Sequence, residues 1–267
     1  GDNNVAIGLS ALGANTTGAN NVAVGSIAFD ANTTGGQNVA IGYTAMGAQT
    51  TASNNVAVGN QALQTNQTGT EIVAIGHEAA KVNLADNITA VGYRALLANT
   101  TGSNNLAIGN DSLLSNTTGT RNLAIGVRAY DASDTENDNM AIGYQSMTTN
   151  TAGGTKNVAI GNYSLDALTS GDNNTAVGYG SLSANTTAGN NTAVGFDAMA
   201  ANSTGANNTA VGQSALYSNT TADNNTAMGY YALLSNTTGA DNTAIGYYAL
   251  RQNTTATRNT AVGSDAL

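Results

Sequence analysis

The sequence predicts an all-β protein, a parallel β-solenoid of sixteen coils of about 17 residues each. A glycine that closes a phrase such as N-V-A-I-G recurs sixteen times, from Gly8 to Gly263, and its spacing is 17 except for one step of 16 and one of 18. Alanine stands two residues before each glycine, and an apolar or aromatic residue stands four residues after it. With 32 Gly, no Pro, no Cys and 9% charged residues, the composition is unlike that of ordinary globular domains.

The phrase N-V-A-I-G predicts a short strand as the first element of each coil. Val5 and Ile7 share one face and Ala6 faces the other, which is the period-2 alternation of an extended chain. The recurring Gly, Asn and Thr are poor residues for a helix interior, and the repeat is too short for a helical hairpin. Identical strands of successive coils are therefore expected to pair at about 4.8 Å.

The residues after the glycine predict a second strand and a turn. In the first coil the second strand would run through Ser10, Ala11 and Leu12. The N-T-T-G segment at residues 15–18, which recurs in most coils, predicts the turn, because Gly permits positive φ and Asn tolerates it.

Stacking in register predicts ladders of identical side chains. Apolar residues would stack on their like, and columns of Asn and Thr would hydrogen-bond from coil to coil. The repeated Ala-x-Gly indicates a narrow interior, but the sequence leaves open which strand face forms it. Thr before the Ala in most later coils indicates that this position is incompletely buried or offers the hydroxyl a hydrogen-bond partner. The representative ladder residues are Ala6, Gly8, Leu12 and Asn15 in the first coil and Ala176, Gly178, Leu182 and Asn185 in a later one.

The phrase N-x-V/T-A-I/V-G, repeated along the whole chain, resembles the head repeats of trimeric autotransporter adhesins. It is also similar to related repeats in phage tail fibres and in bacterial surface fibres. The resemblance implies a left-handed parallel β-roll of three chains that binds matrix proteins or cell-surface glycans. The coil is longer than the usual adhesin head repeat, with N-T-T-G as the additional piece, so the tail-fibre and surface-fibre branches stay open.

The predicted function is that of an extracellular structural or adhesive fibre segment, at a cell or virion surface, and not that of an enzyme. Residues 1–267 are expected to form one continuous repeat domain, cut from a longer fibre. The expected partners are further copies of the chain, as a homotrimer or an end-to-end filament, and a glycan or protein receptor. The formal net charge of −9 argues against nucleic acid, no apolar run is long enough for membrane insertion, and no cofactor is expected. An ice-binding solenoid or a subunit of a self-assembling surface filament is the alternative.

Aromatic residues gather in the two columns that follow the glycine, and they predict a ligand-binding patch. Tyrosine combines a flat apolar face with a polar tip, which suits sugar stacking or a protein interface. Packing between coils, or against a sister chain, is the alternative explanation. The candidate residues are Tyr179, Phe196, Tyr230, Tyr231, Tyr247 and Tyr248.

Carboxylates are concentrated in one coil, where D-A-S-D-T-E-N-D replaces the N-T-T-G turn. Because calcium takes several oxygen ligands, these residues are a weak candidate for a cation site, and a solvated loop is the alternative. The single histidine, His77, lacks the partners of a catalytic triad and is expected to be structural or exposed. The candidate ligands are Asp131, Asp134, Glu136 and Asp138.

Overall fold

The computed structural model describes residues 1–150 and 153–267, which form strands and turns and contain no helix. Two compact units are distinguished, Gly1–Thr135 and Glu136–Leu267, and each is described by itself. Both units consist of parallel strands, one to each coil, so the predicted all-β parallel β-solenoid is confirmed. The expectation of one continuous domain over residues 1–267 stays a prediction.

The first unit contains eight strands of three residues each. Consecutive strands pair in parallel and in register, so that Ala6 lies opposite Ala23 and Ala23 opposite Ala40. The same register holds up to the last pair of the unit. The strands are β1 (Val5–Ile7), β2 (Val22–Val24), β3 (Val39–Ile41), β4 (Val56–Val58), β5 (Val73–Ile75), β6 (Thr89–Val91), β7 (Leu106–Ile108) and β8 (Leu123–Ile125).

The second unit repeats this arrangement with eight further strands. Their pairing is again parallel and in register, with Ala176 opposite Ala193 and Ala193 opposite Ala210, and it extends through the unit. The strands are β9 (Met140–Ile142), β10 (Val158–Ile160), β11 (Thr175–Val177), β12 (Thr192–Val194), β13 (Thr209–Val211), β14 (Thr226–Met228), β15 (Thr243–Ile245) and β16 (Thr260–Val262).

The interior lies on the alanine face of the strands, which answers the question that the sequence left open. In β12, Ala193 is fully buried, whereas Thr192 is half-buried and Val194 is exposed. A central alanine keeps the inner face flat, so the opposite wall can approach closely and fill the interior. Incomplete burial of the Thr position is confirmed, and Val22, which occupies the same position in the first unit, is also only half-buried.

The predicted second strand is wrong, because the chain makes successive turns there. The residues two and four positions after the glycine have positive φ, as at Ser10 (54°) and Leu12 (56°). The amide of Gly13 donates to the carbonyl of Ser10 at 3.2 Å, closing a turn. As a result, adjacent residues such as Ala28 and Phe29 both point inward and are fully buried, which the alternation of a strand would not allow.

The predicted Asn and Thr ladders are confirmed by hydrogen bonds between coils. The side-chain amide of Asn32 donates to the Oδ1 of Asn15 at 2.9 Å, and the hydroxyl of Thr33 donates to the carbonyl of Thr50 at 3.1 Å. Asn32 is completely buried. Since a buried amide without partners is costly, these bonds explain how a polar residue can fill the interior of most of these turns.

Candidate aromatic binding surface

The aromatic side chains project from two columns, one exposed and one half-buried, which we number by distance from the strand-closing glycine. Column 1 is the residue directly after the glycine and column 2 is the next residue. The glycine redirects the chain at the end of the strand, and column 1 then points away from the interior. Tyr179 is 49% exposed, Phe196 is 51% exposed and Tyr247 is 49% exposed. These rings are therefore presented to solvent and are not part of the core.

Four tyrosines of two successive coils meet in one group, which we call the tyrosine cluster: Tyr230, Tyr231, Tyr247 and Tyr248. Tyr230 stacks on Tyr247 with ring centroids 5.4 Å apart, and Tyr231 stacks on Tyr248 at 5.6 Å. Within each coil the two rings are closer, at 4.0 Å and 4.1 Å. In-register coils bring columns 1 and 2 into two parallel stacks, so four rings share one surface.

Arg251 extends this surface at one side. Its guanidinium carbon lies 4.5 Å from the centroid of the Tyr248 ring, within the range of a cation–π contact. Arg251 is itself exposed, so its N–H donors are accessible beside the rings. Sequence analysis missed this residue. The signal was its position three residues after Tyr248, because a turn brings residues at that spacing together.

The phenols of Tyr230 and Tyr247 are stabilised in the neutral form. Side-chain hydrogen bonding with Tyr231, followed by removal from water, raises the pKa of Tyr230 to about 12. Hydrogen bonding with Tyr248 likewise raises the pKa of Tyr247 above its usual value. Both groups therefore remain protonated at neutral pH and can donate as well as accept hydrogen bonds.

A second group of rings, the aromatic row, lies elsewhere in the same unit. Tyr163 contacts Tyr144 and Tyr179 edge-on, with centroids 5.5 Å and 5.7 Å apart, and Tyr179 stacks on Phe196 at 5.5 Å. The six predicted residues thus divide into two groups, because Gln213 occupies column 1 in the coil between Phe196 and Tyr230. Tyr144 and Tyr163 complete the row and can be found by extending the same two columns.

The first unit has a smaller aromatic contact around its histidine. His77 stacks on Tyr93 with centroids 5.4 Å apart and an interplanar angle of 15°. The guanidinium of Arg94 lies 5.4 Å from the centroid of the Tyr93 ring. The His77 side chain is 46% exposed and its Nδ1 is 3.8 Å from a carboxylate oxygen of Glu78. His77 therefore lies on the surface, where sequence analysis expected it to be structural or exposed.

The acidic residues of the aspartate-rich coil are divided between the two units. In the first, Asp131 is buried and accepts a hydrogen bond from the Nε of Arg128 at 2.8 Å. In the second, Glu136 is buried and accepts from the amide of Gly153 at 3.1 Å. Within residues 1–150 and 153–267, no three His, Cys, Asp or Glu side chains are grouped so that they could hold a metal ion. Asp134 and Asp138 also have interaction partners, so a cation site gains no support.

The ladder residues chosen from the sequence occupy the positions that a ladder requires. Ala176, Leu182 and Asn185 are fully buried, and the side chain of Asn185 donates to the carbonyl of Ala188 at 3.0 Å. In the first coil, Ala6 is exposed because β1 pairs with a strand on one side only. The remaining ladder residues of that coil, Gly8, Leu12 and Asn15, are exposed or half-buried.

A second ladder of buried asparagines, which precedes the strand, was missed by the sequence analysis. The Oδ1 of Asn208 accepts the backbone amide of Asn225 at 2.8 Å, and its side-chain amide donates to the carbonyl of Ala222 at 2.8 Å. The same two bonds recur for Asn191, one coil earlier. The signal was present in the N that opens the phrase in most coils, but the position was grouped with the strand.

Comparison with known proteins assigns no family: no protein-family model matches the chain, and no curated protein matches it significantly. In the part of the chain that the structure describes, no helix is long and apolar enough to cross a membrane. The fold defines the class of this protein, a β-solenoid repeat protein with one short parallel strand to each coil.

Proposed function

We propose that this chain is a segment of an extracellular structural and adhesive fibre that binds cell-surface glycans through the tyrosine cluster. The observation that supports the proposal is the cluster itself, four rings held side by side on a regular scaffold. Stacked coils fix the backbone of every ring, so little conformational entropy remains to be lost on binding. A rigid aromatic surface is suited to the apolar face of a sugar ring.

The chemistry around the rings fits a hydroxyl-rich ligand. The neutral phenols of Tyr230 and Tyr247 can exchange hydrogen bonds with sugar hydroxyls, while Arg251 adds accessible donors. Tyr and Arg are also the residues most often found at energetic centres of binding surfaces. The tyrosine cluster therefore combines an apolar platform with donors and acceptors at its edge.

The threonine pairs favour adhesion over ice binding as the function. In N-T-T-G the hydroxyl of the first residue donates to the backbone of the next coil, as Thr100 does to Thr117 at 2.8 Å. The second residue, such as Thr101, is exposed. Each turn of this type thus offers one outward hydroxyl, whereas a lattice-matching surface needs a flat array of more than one row. Ice binding is retained only as the alternative, to be measured by thermal hysteresis.

Replacing the column 1 rings of the cluster is expected to abolish glycan recognition. Asparagine occupies column 1 naturally at Asn60 and Asn110, so Tyr230→Asn with Tyr247→Asn should leave the coils intact. We expect the affinity to fall at least tenfold, since aromatic residues at the centre of a binding surface contribute about 2 kcal/mol or more. A glycan array would identify a bound glycan, and calorimetry would compare the double variant with the parent.

The matched control is Tyr43→Asn, which changes column 1 in the first unit. Tyr43 is 50% exposed, and it lies outside the tyrosine cluster. Its substitution should leave the affinity unchanged, and circular dichroism should show the same fold for all three proteins. Equal glycan binding by the double variant and the parent would contradict the proposal, and so would a chain that recognises no glycan on the array.

The proposal also includes a homotrimer, which the resemblance to adhesin heads implies together with left-handed winding. It is supported by a row of exposed isoleucines on the outer strand face of the first unit: Ile41 at 38%, Ile75 at 39% and Ile108 at 37%. These isoleucines alternate along one column with the half-buried Val58 and Val91, and a continuous apolar column is typical of surfaces that pack against another protein. A second and third copy of the chain would cover this row.

The solution mass of the full chain should equal that of three chains across a concentration series measured by light scattering. A variant with Ile41→Lys and Ile75→Lys should dissociate to the mass of one chain, because burying two unpaired charges opposes association. Thr51→Lys is the control, since it adds charge at an exposed turn position and should leave the mass unchanged. A monomer at all concentrations would exclude the trimer, and growth without limit would indicate a filament.

A further inference from the structure

We propose that a groove in the first unit, separate from the tyrosine cluster, binds a single neutral sugar residue. The groove has a volume of about 390 Å³, which lies at the lower end of the range for small-molecule sites. It crosses three successive coils between columns 2 and 6. Its lining residues include Ile27, Asp30, Thr44, Gly47, Ala48 and Gln64.

The groove exists because one column lacks a side chain at its centre. Column 5, the fifth residue after the glycine, holds Asp30, Gly47 and Gln64 in three consecutive coils. A Cβ atom placed on Gly47 would lie 3.8 Å from the Oδ1 of Asp30. The glycine therefore leaves a gap between a carboxylate on one side and an amide on the other.

The polar groups that face this gap are complementary to vicinal hydroxyls. The carboxylate of Asp30 accepts hydrogen bonds only, whereas the amide of Gln64 both donates and accepts. A sugar hydroxyl can donate to the first while its neighbour accepts from the second. Ile27 and Ala48 supply an apolar wall against which the C–H face of a pyranose can pack. This mixture of one apolar wall and a few convergent polar groups is typical of small-ligand sites.

Thr44 supplies an independent observation at the same place. Its Oγ1 is buried and has no hydrogen-bond partner among the described residues. Buried hydroxyls nearly always have a partner, and the cost of leaving one unsatisfied is about 1–3 kcal/mol. Thr44 lines the groove, so a rotation of its side chain about χ1 would turn this hydroxyl toward a ligand bound there and complete its hydrogen bonding.

The proposal does not depend on the tyrosine cluster, and the experiment separates the two. Saturation-transfer NMR on the full chain would use the methyl glycosides of glucose, galactose, mannose and N-acetylglucosamine as probes. It would be done in the background of Tyr230→Asn and Tyr247→Asn, where the cluster is lost. At least one glycoside should still bind, and failure of all four would overturn the groove while leaving the cluster untouched.

Filling the groove should abolish this binding. Leucine occupies column 5 naturally at Leu97 and Leu114, so Gly47→Leu fits the scaffold and fills the gap. Asp30→Asn keeps the shape of the side chain but removes its charge, and should weaken binding about tenfold, the contribution of one hydrogen bond to a charged group. Ala200→Leu, in column 5 of the second unit, is the control and should bind as the background does. Unchanged affinity in Gly47→Leu and Asp30→Asn would overturn the proposal.

Discussion

Replacing Gly42 with alanine is expected to lower the free energy of unfolding of the first unit by about 3 kcal/mol or more. The φ angle of Gly42 is +135°, a region that residues with a Cβ atom rarely adopt. A Cβ atom at this position would also overlap the carbonyl oxygen of Gly59 in the next coil. Because that oxygen belongs to the stacked backbone, neither partner can move without breaking the register of the strands.

Gly47→Ala, in the same coil, is the matched control. Gly47 does not have positive φ, and the nearest atom to an added Cβ is the carbonyl oxygen of Thr44, at 3.3 Å. The change should be within about 1 kcal/mol and can be stabilising, because alanine restricts the unfolded chain. Urea denaturation followed by circular dichroism would compare the variants, and hydrogen exchange would locate the loosened coils. Equal effects at Gly42 and Gly47 would contradict this account.

The strands and their register could be predicted from the sequence, because both follow from a repeat whose side chains alternate. The turns after the glycine could not. Ile27 and Phe29 adopt φ angles of 56° and 51°, which are unfavourable for β-branched and bulky residues. The cost is offset by hydrogen bonds to neighbouring coils, such as that from the amide of Phe29 to the carbonyl of Ala45 at 2.9 Å. These hydrogen bonds join residues of different coils, so their stabilising effect cannot be recognised from the local sequence pattern.

The candidate site was predictable to the extent that it follows the columns. Knowing that Tyr230 and Tyr247 share column 1 was enough to place one ring beside the other. The contact between Arg251 and Tyr248, and the gap beside Gly47, depend instead on how the turns bring columns 2 and 5 together. Because those turns were predicted as a strand, whose residues point to alternate faces, neither feature could be anticipated.

The ladder of asparagines before the strand should contribute strongly to the stability of the second unit. Asn208→Ala would leave the backbone amide of Asn225 without its partner, while the carbonyl of Ala222 would keep only the bond from the side-chain amide of Asn219. Asn208 and Asn225 are fully buried and Ala222 is nearly so, so water cannot easily replace the lost bonds. With about 1–3 kcal/mol for the unsatisfied amide of Asn225 and about 1 kcal/mol for the bond lost at Ala222, we expect a loss of about 2 kcal/mol or more in the free energy of unfolding of the second unit.

The control is the adjacent residue, Asn207, which is exposed and has a φ of 59°. Glutamine occupies the same column at Gln37, with a φ of 61°, so Asn207→Gln should change stability by no more than about 0.5 kcal/mol.

The first unit shows when the ladder can be replaced: Ile72 and Ile88 fill its position in two consecutive coils and are almost completely buried. A pair of apolar side chains leaves no half-satisfied side-chain amide in the interior. Isoleucine at both Asn208 and Asn225 is therefore expected to lower the free energy of unfolding by less than the sum of the two single isoleucine substitutions. Denaturation of the parent, the two single isoleucine variants and the double variant would measure this difference, and strict additivity would mean that the ladder acts bond by bond.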